Sequence, residues 1–313
     1  MATPIIRSKS MTKISHGLEF AAFWLLTRLA QLMPSGMADR VAVILGKTAH
    51  RFLKSRVRIA EDNLKRAFGG QLDRSDRERL VPGIFINIAR TTIDFARQPV
   101  LSRDRVLKLV PEHSGLEYID EALSKGRGLV FLSAHFGSWE LIGIWLHAMG
   151  YPVDFLVGQQ HNPYVDRLFN HFRTSHGISV IPVGVSARHV LKSLKNNRIV
   201  AFLGDQHAAS GAAVVDFFGR PAATARGAAA FALKSNCPII LGLLVREAYN
   251  RHRAVIQPPI YPPEDGNRDE IIVKMTQAHT AQLEKVVRQY PAQWMWTHRR
   301  WKVDRNRADP IQP

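Results

Sequence analysis

Residues 128–140 read Gly128-Leu129-Val130-Phe131-Leu132-Ser133-Ala134-His135-Phe136-Gly137-Ser138-Trp139-Glu140. Val130, Phe131 and Leu132 are apolar and β-prone without alternation, which predicts a strand covered on both faces in an α/β sheet. From Trp139 the period changes. Leu141, Ile142, Trp145 and Leu146 recur at helical spacing, predicting a helix over 139–149. His135 therefore falls in a strand-to-helix turn, where Gly137 permits unusual backbone angles. Glu140 falls in the first helical turn. Residues five apart do not share a face of a continuous helix, so the turn has to bring the pair together. A carboxylate on one imidazole nitrogen leaves the other to take a proton from a hydroxyl. Such general-base help contributes about 10²–10⁴ in rate. The alternative is an ordinary turn histidine beside a surface glutamate. The position at a strand's C-terminal end favours function, because open α/β sheets bind ligands there.

The pattern extends in both directions. Helices are expected over 37–52 and 57–68, with Gly69-Gly70 as a stop, and Ser75-Asp76-Arg77-Glu78 fits a capping box for the next helix. Beyond Gly115, helical periods at 116–123, 139–149, 163–175 and 187–194 alternate with apolar runs at 129–132, 153–157, 178–182 and 199–203. A helix at 226–235, a long apolar strand at 238–245 and a helix at 269–289 follow. Alternation of this kind predicts a mainly parallel sheet flanked by helices.

The N-terminal segment 1–34 reads differently. Residues 18–33, LEFAAFWLLTRLAQLM, are apolar and aromatic but interrupted by Glu19 and Arg28. They predict a membrane-associated helix, either a short or tilted anchor or one lying in the interface, unless it packs on the core. Residues 35–313 form the expected main domain. No linker, repeat or low-complexity tract divides it. The chain has 43 Lys+Arg against 26 Asp+Glu, a formal charge of +17. That favours anionic partners such as anionic lipid or an acidic carrier protein. No nucleic-acid-binding motif accompanies the charge. With one cysteine there is neither a disulfide nor a cysteine metal cage, and no His-Glu-x-x-His is present, so no metal is expected. No Gly-x-Ser-x-Gly elbow appears, which argues against a serine hydrolase.

Other strand ends carry polar groups. Gly204-Asp205-Gln206-His207 follows the run at 199–203. Asp205 could anchor a loop, bind a substrate hydroxyl, orient a cation or close an Asx turn. Arg173 has the planar fork that suits phosphate, or is a surface group. Phe217-Phe218-Gly219-Arg220-Pro221 suits an acyl-chain wall with an anion contact, or plain core.

Taken in order, these segments resemble the lipid A late acyltransferases, the lauroyl and myristoyl transferases within the lysophospholipid/glycerol-phosphate acyltransferase superfamily. The matching blocks are Asn63-Leu64 with Phe68, His135 to Glu140, Arg173 with Gly177, Asp205-Gln206, Phe217 to Ala222 with Thr224, and Trp294 to Lys302. The resemblance implies a glycerol-phosphate acyltransferase-like fold and a His-x4-Asp/Glu dyad, with His135 as general base and Glu140 as its orienting partner. It places Arg173, Asp205, Gln206, Phe218, Gly219, Arg220 and Thr224 as substrate-binding candidates. It implies an O-acyltransferase of the inner membrane, with its catalytic domain on the cytoplasmic face. No cofactor is expected. Acyl-acyl carrier protein serves as co-substrate and a hydroxyl of a phosphorylated, Kdo-bearing lipid A precursor as acceptor. Ser138 stands where the family commonly has Asn. Two alternatives are an acyltransferase for another glycolipid or a lysophospholipid, and a non-enzymatic basic membrane-binding protein.

Overall fold

The structure is a computed structural model and describes residues 9–184 and 187–302. Residues 1–8 of the expected N-terminal segment and 303–313 of the main domain lie outside the described residues, as do 185–186.

Helices α1 (Lys9–Leu32), α2 (Ser35–Phe52), α3 (Lys54–Phe68), α4 (Arg74–Arg97) and α5 (Arg103–Leu109) come first. The capping box of α4 lies two residues earlier than expected. Asp73 Oδ1 accepts from Asp76 N at 2.7 Å and Asp76 Oδ2 accepts from Asp73 N at 3.1 Å. Aspartate caps as well as serine does, and Glu78 pairs with Arg74 instead. There follow β1 (Glu112–Ser114), α6 (Leu116–Ser124), β2 (Leu129–Ser133), α7 (Leu141–Ala148), β3 (Val153–Val157), α8 (Pro163–Thr174), β4 (Ser179–Pro182), α9 (Ala187–Lys195) and β5 (Ile199–Leu203). The hairpin β6 (Ala212–Asp216) and β7 (Pro221–Ala225) leads to α10 (Gly227–Ser235), β8 (Ile239–Ala248), β9 (Arg251–Ile256) and α11 (Arg268–Gln289).

Seven strands form one sheet in the order β1-β9-β8-β2-β5-β3-β4. Every pairing is parallel except β8 with β9, so the sheet is mainly parallel, as expected. β2 lies inside it between β8 and β5, and all five of its residues are buried. Its side chains alternate between two cores, as the pleat requires. Val130 and Leu132 face one with α10 and α11; Leu129 and Phe131 face the other with α6 and α7.

Among the described residues no helix is long and apolar enough to cross a membrane. Helix α1 rests on the protein along one side, where Thr27 and Ala30 are buried. Gln31 Nε2 donates to Ala96 O at 2.9 Å, and Asn162 Nδ2 donates to Glu19 at 2.8 Å. The charge that breaks its apolar run thus has a protein partner. Its outer side is apolar all the same: Leu18, Leu25, Leu26, Leu29 and Leu32 are exposed.

Candidate active site

His135 leaves β2 two residues past its end, in a turn held from three directions. Thr91 Oγ1, on α4, donates to Gly137 O at 2.6 Å. Gly137 N donates to Gln293 O and Met295 N donates to His135 O, each at 2.9 Å. Gly137 itself has φ +55°, and a Cβ there would come within 1.9 Å of Leu244 O on β8. Glycine is required on both counts.

The carboxylate that orients His135 is Asp205, where the sequence pointed to Glu140. Asp205 follows β5, the strand paired in register beside β2. It is buried and receives three bonds: from His135 Nδ1 at 2.8 Å, from His135 N at 3.0 Å and from Trp294 Nε1 at 2.8 Å. An ionised carboxylate only accepts, so Nδ1 carries the proton and Nε2 keeps its lone pair. Gln206 Nε2 lies 3.3 Å from that Nε2. Burial pulls the His135 pKa down, but the charge and hydrogen bond of Asp205, with a smaller contribution from Glu140, raise it above its ordinary value. Burial raises the Asp205 pKa, but the His135 charge and the bonds from His135 and Trp294 outweigh it, so the net shift is downward.

Glu140 stands at the N-cap position of α7, without a side-chain capping bond, rather than lying in its first turn, because the tight turn at Ser138-Trp139 delays the helix to Leu141. Its carboxylate is gripped bidentately by Arg173 of α8, Nε to Oε2 at 3.0 Å and Nη2 to Oε1 at 2.5 Å. Arg173 also donates to Asn170 Oδ1 at 3.2 Å and lies over the Phe95 ring. Its fork is therefore committed to a protein carboxylate.

His135, Glu140, Arg173 and Gln206 line one cavity of about 610 Å³. Its remaining wall is mostly apolar: Phe95, Phe131, Trp139, Ile142, Phe155, Leu156, Val157, Phe169, Ala201, Phe202 and Leu203, with Thr91 and Thr92 from α4. Phe131, Ala201 and Phe155 form a row across three adjacent strands, with the small residue in the middle. The space over the sheet opens there.

Phe218, Gly219, Arg220 and Thr224 are not brought to this cavity. Phe218 is packed among Phe68, Phe217, Trp296 and Trp301. Gly219 N donates to Asp216 at 3.0 Å, Arg220 Nε donates to Arg66 O at 2.9 Å, and Thr224 Oγ1 accepts from the buried Arg300. These residues build the β6–β7 hairpin, whose Thr224 pairs with His207 next to Gln206. Thr91, Gln293 and Trp294 went unassigned by sequence reasoning. Only Trp294 lay in a segment already singled out, the Trp294–Lys302 block of the family resemblance. Among the described residues no group of three or more His, Cys, Asp or Glu is placed to hold a metal ion.

A strand-end histidine, bonded to a buried carboxylate and facing a mostly apolar cavity, is the feature that defines this α/β protein's site. The sequence profile of the bacterial lipid A biosynthesis acyltransferases matches residues 6–303, and the chain belongs to that family of acyltransferases. It is 25% identical over 282 residues to a lipid A biosynthesis acyltransferase of Haemophilus influenzae, covering 90% of this chain and 86% of the relative. It is 25% identical to the lipid A biosynthesis palmitoleoyltransferase of Escherichia coli over 267 residues, 83% of each. A phosphatidylinositol mannoside acyltransferase of Mycolicibacterium smegmatis is 24% identical over 291 residues, 92% of this chain and 91% of the relative.

Proposed function

We propose that this acyltransferase moves a fatty acyl chain from an acyl carrier protein thioester to a hydroxyl of a Kdo-bearing lipid A precursor. The observation that carries the chemistry is the His135–Asp205 bond, which leaves Nε2 facing an apolar cavity. His135 Nε2 takes the proton of the acceptor hydroxyl, and the oxygen attacks the thioester carbonyl. The imidazolium that forms is favoured by the ionised Asp205 and by the charge of Glu140. Gln206 Nε2, next to the reacting nitrogen, is the donor for the oxyanion. Collapse of the tetrahedral adduct breaks the C–S bond, and the thiolate takes the proton back from His135. No acyl-enzyme is required, since the thioester is already activated. The apolar wall holds the acyl chain.

The donor and the site of action follow from charge and surface. A +17 chain suits an acidic carrier protein and a phosphorylated acceptor. The exposed leucines of α1 suit an interfacial position on the cytoplasmic face of the inner membrane, without a spanning helix. The likeness to a phosphatidylinositol mannoside acyltransferase supports a second reading, in which the acceptor is a different glycolipid.

One experiment separates these readings. Lipid A from a deletion strain, complemented with wild type or His135→Ala, is weighed by mass spectrometry. Loss of one secondary acyl chain, restored by wild type alone, is the expected result. Unaltered lipid A, with a change in another glycolipid, moves the assignment to the second reading. Full restoration by His135→Ala sinks the mechanism.

A further inference from the structure

Behind the catalytic turn lies a buried ion pair that touches no reacting group. Arg246 on β8 and Asp94 on α4 meet at 2.8 Å, with side chains 4% and 16% exposed. The guanidinium spends its other donors nearby. Nε donates to Asn87 Oδ1 at 3.2 Å, Nη1 to Tyr249 O at 3.2 Å, and Nη2 to Thr91 Oγ1 at 3.3 Å as well as to Asp94.

Three of these four partners lead back to the His135 turn. Thr91 holds Gly137 O. Asn87 Nδ2 donates to Gln293 O at 3.0 Å, the same carbonyl that receives Gly137 N. Ser138 Oγ donates to Asp94 Oδ2 at 3.4 Å. The backbone of Arg246 also exchanges two bonds with the Gln293 side chain, at 2.8 and 2.9 Å. One fork therefore ties together α4, β8, the C-terminal tail and the turn.

We propose that the Arg246–Asp94 pair is a positioning device, setting the turn that carries His135 against the α4 wall of the cavity. The assignment rests on His135 acting as the base. An apolar pair could hold α4 on β8 at least as firmly, since buried ion pairs give little net stability against apolar replacements. What an apolar pair cannot do is satisfy three side chains and a carbonyl at fixed angles, as the planar fork does. α4 also supplies Thr91, Thr92 and Phe95 to the cavity, so the same contact sets the distance between the base and the wall opposite it.

The test uses the full chain with Arg246→Lys and, separately, the double variant Asp94→Leu with Arg246→Met. Lysine keeps a charge near Asp94 but cannot reach Asn87, Thr91 and Tyr249 together. The double variant leaves no unpaired charge, and its melting temperature checks that it folds without the donors to Asn87, Thr91 and Tyr249. Melting temperature, kcat, KM for an acyl-acyl carrier protein, and the NMR titration of the His135 ring are read for each. Expected in both variants are a folded protein, KM within about twofold, and kcat lower by about 10–100-fold, the size of a small misplacement at a reacting centre. The His135 titration moves down toward an ordinary histidine as its bond to Asp205 loosens. Wild-type kcat and wild-type titration in both folded variants would overturn the proposal and leave the pair as scaffold. If wild type itself transfers nothing to the proposed acceptor, the functional reading fails, while the titration still reports on positioning.

Discussion

Trp294 Nε1 donates to the same Asp205 carboxylate that holds His135, so the tail of the chain completes a bond formed 89 residues earlier. The indole bonds Oδ2 while the imidazole bonds Oδ1, which fixes the carboxylate in rotation as well as in charge state.

Trp294→Phe keeps an aromatic ring and removes that donor. A hydrogen bond to a buried charged group contributes about 1.5–3 kcal/mol to stability, so the variant is expected to be destabilised by that order, with kcat lowered because the Asp205 carboxylate is no longer fixed in rotation. Steady-state kinetics with circular dichroism on the same preparation checks it.

Asp205→Asn removes the charge that fixes the imidazole tautomer. The rate is expected to fall by about 10²–10⁴-fold. In wild type the base must be deprotonated and its pKa is raised above 6.5, so kcat/KM climbs with pH through a midpoint above that value. The residual activity of Asp205→Asn has its midpoint at lower pH, because the imidazolium has lost its partner. A pH–rate profile of both proteins decides this.

The same pair makes stability depend on pH in two directions. His135 is raised above 6.5, so its share is full below 6.5 and is lost as pH rises through the folded value. Asp205 is lowered below 3.8, so its share is full above 3.8 and is lost as pH falls through the folded value. The melting-temperature gap between wild type and Asp205→Asn is expected to be widest between those two values and to narrow on either side.

Arg173→Met leaves Glu140 as an uncompensated, mostly buried charge. Breaking such a pair costs about 3–5 kcal/mol, whereas Arg173→Met with Glu140→Gln is expected to recover most of the loss. Urea unfolding of the three proteins measures the difference.

Gly137→Ala combines a left-handed backbone with a Cβ driven against Leu244 O. It is expected to abolish transfer and to lower the melting temperature, as calorimetry will show. Gly219→Ala, at a positive-φ position with open space around it, is the milder control.

The fold was legible where the chemistry is local. The apolar run at β2, the glycine of the turn and the alternating periods beyond Gly115 each report their own conformation within a few residues. β1 and β9 were not legible: β1 spans only three exposed residues, and β9 opens on Arg251-His252-Arg253, so its alternating burial is masked by polar residues on both faces. At the site, His135 was legible because it sits at the C-terminal end of a strand, where open α/β sheets bind ligands. Its partner was misread because sequence proximity favoured Glu140, whereas parallel pairing of β2 with β5 delivers Asp205 to the same end of the sheet. Arg246 and Asp94 left no mark in the sequence, since only the crossing of α4 over β8 makes them neighbours.

The tail from Gln293 to Trp294 has a consequence for how the protein is made. The chain leaves the ribosome N-terminus first, so β2 and β5 can pair while Trp294 is still unborn. Until those last residues emerge, Asp205 lacks its third donor and the His135 turn lacks the backbone of Gln293 and Met295. Truncation before Gln293 would therefore leave the sheet without the indole bond to Asp205 and without the backbone bonds that hold the His135 turn.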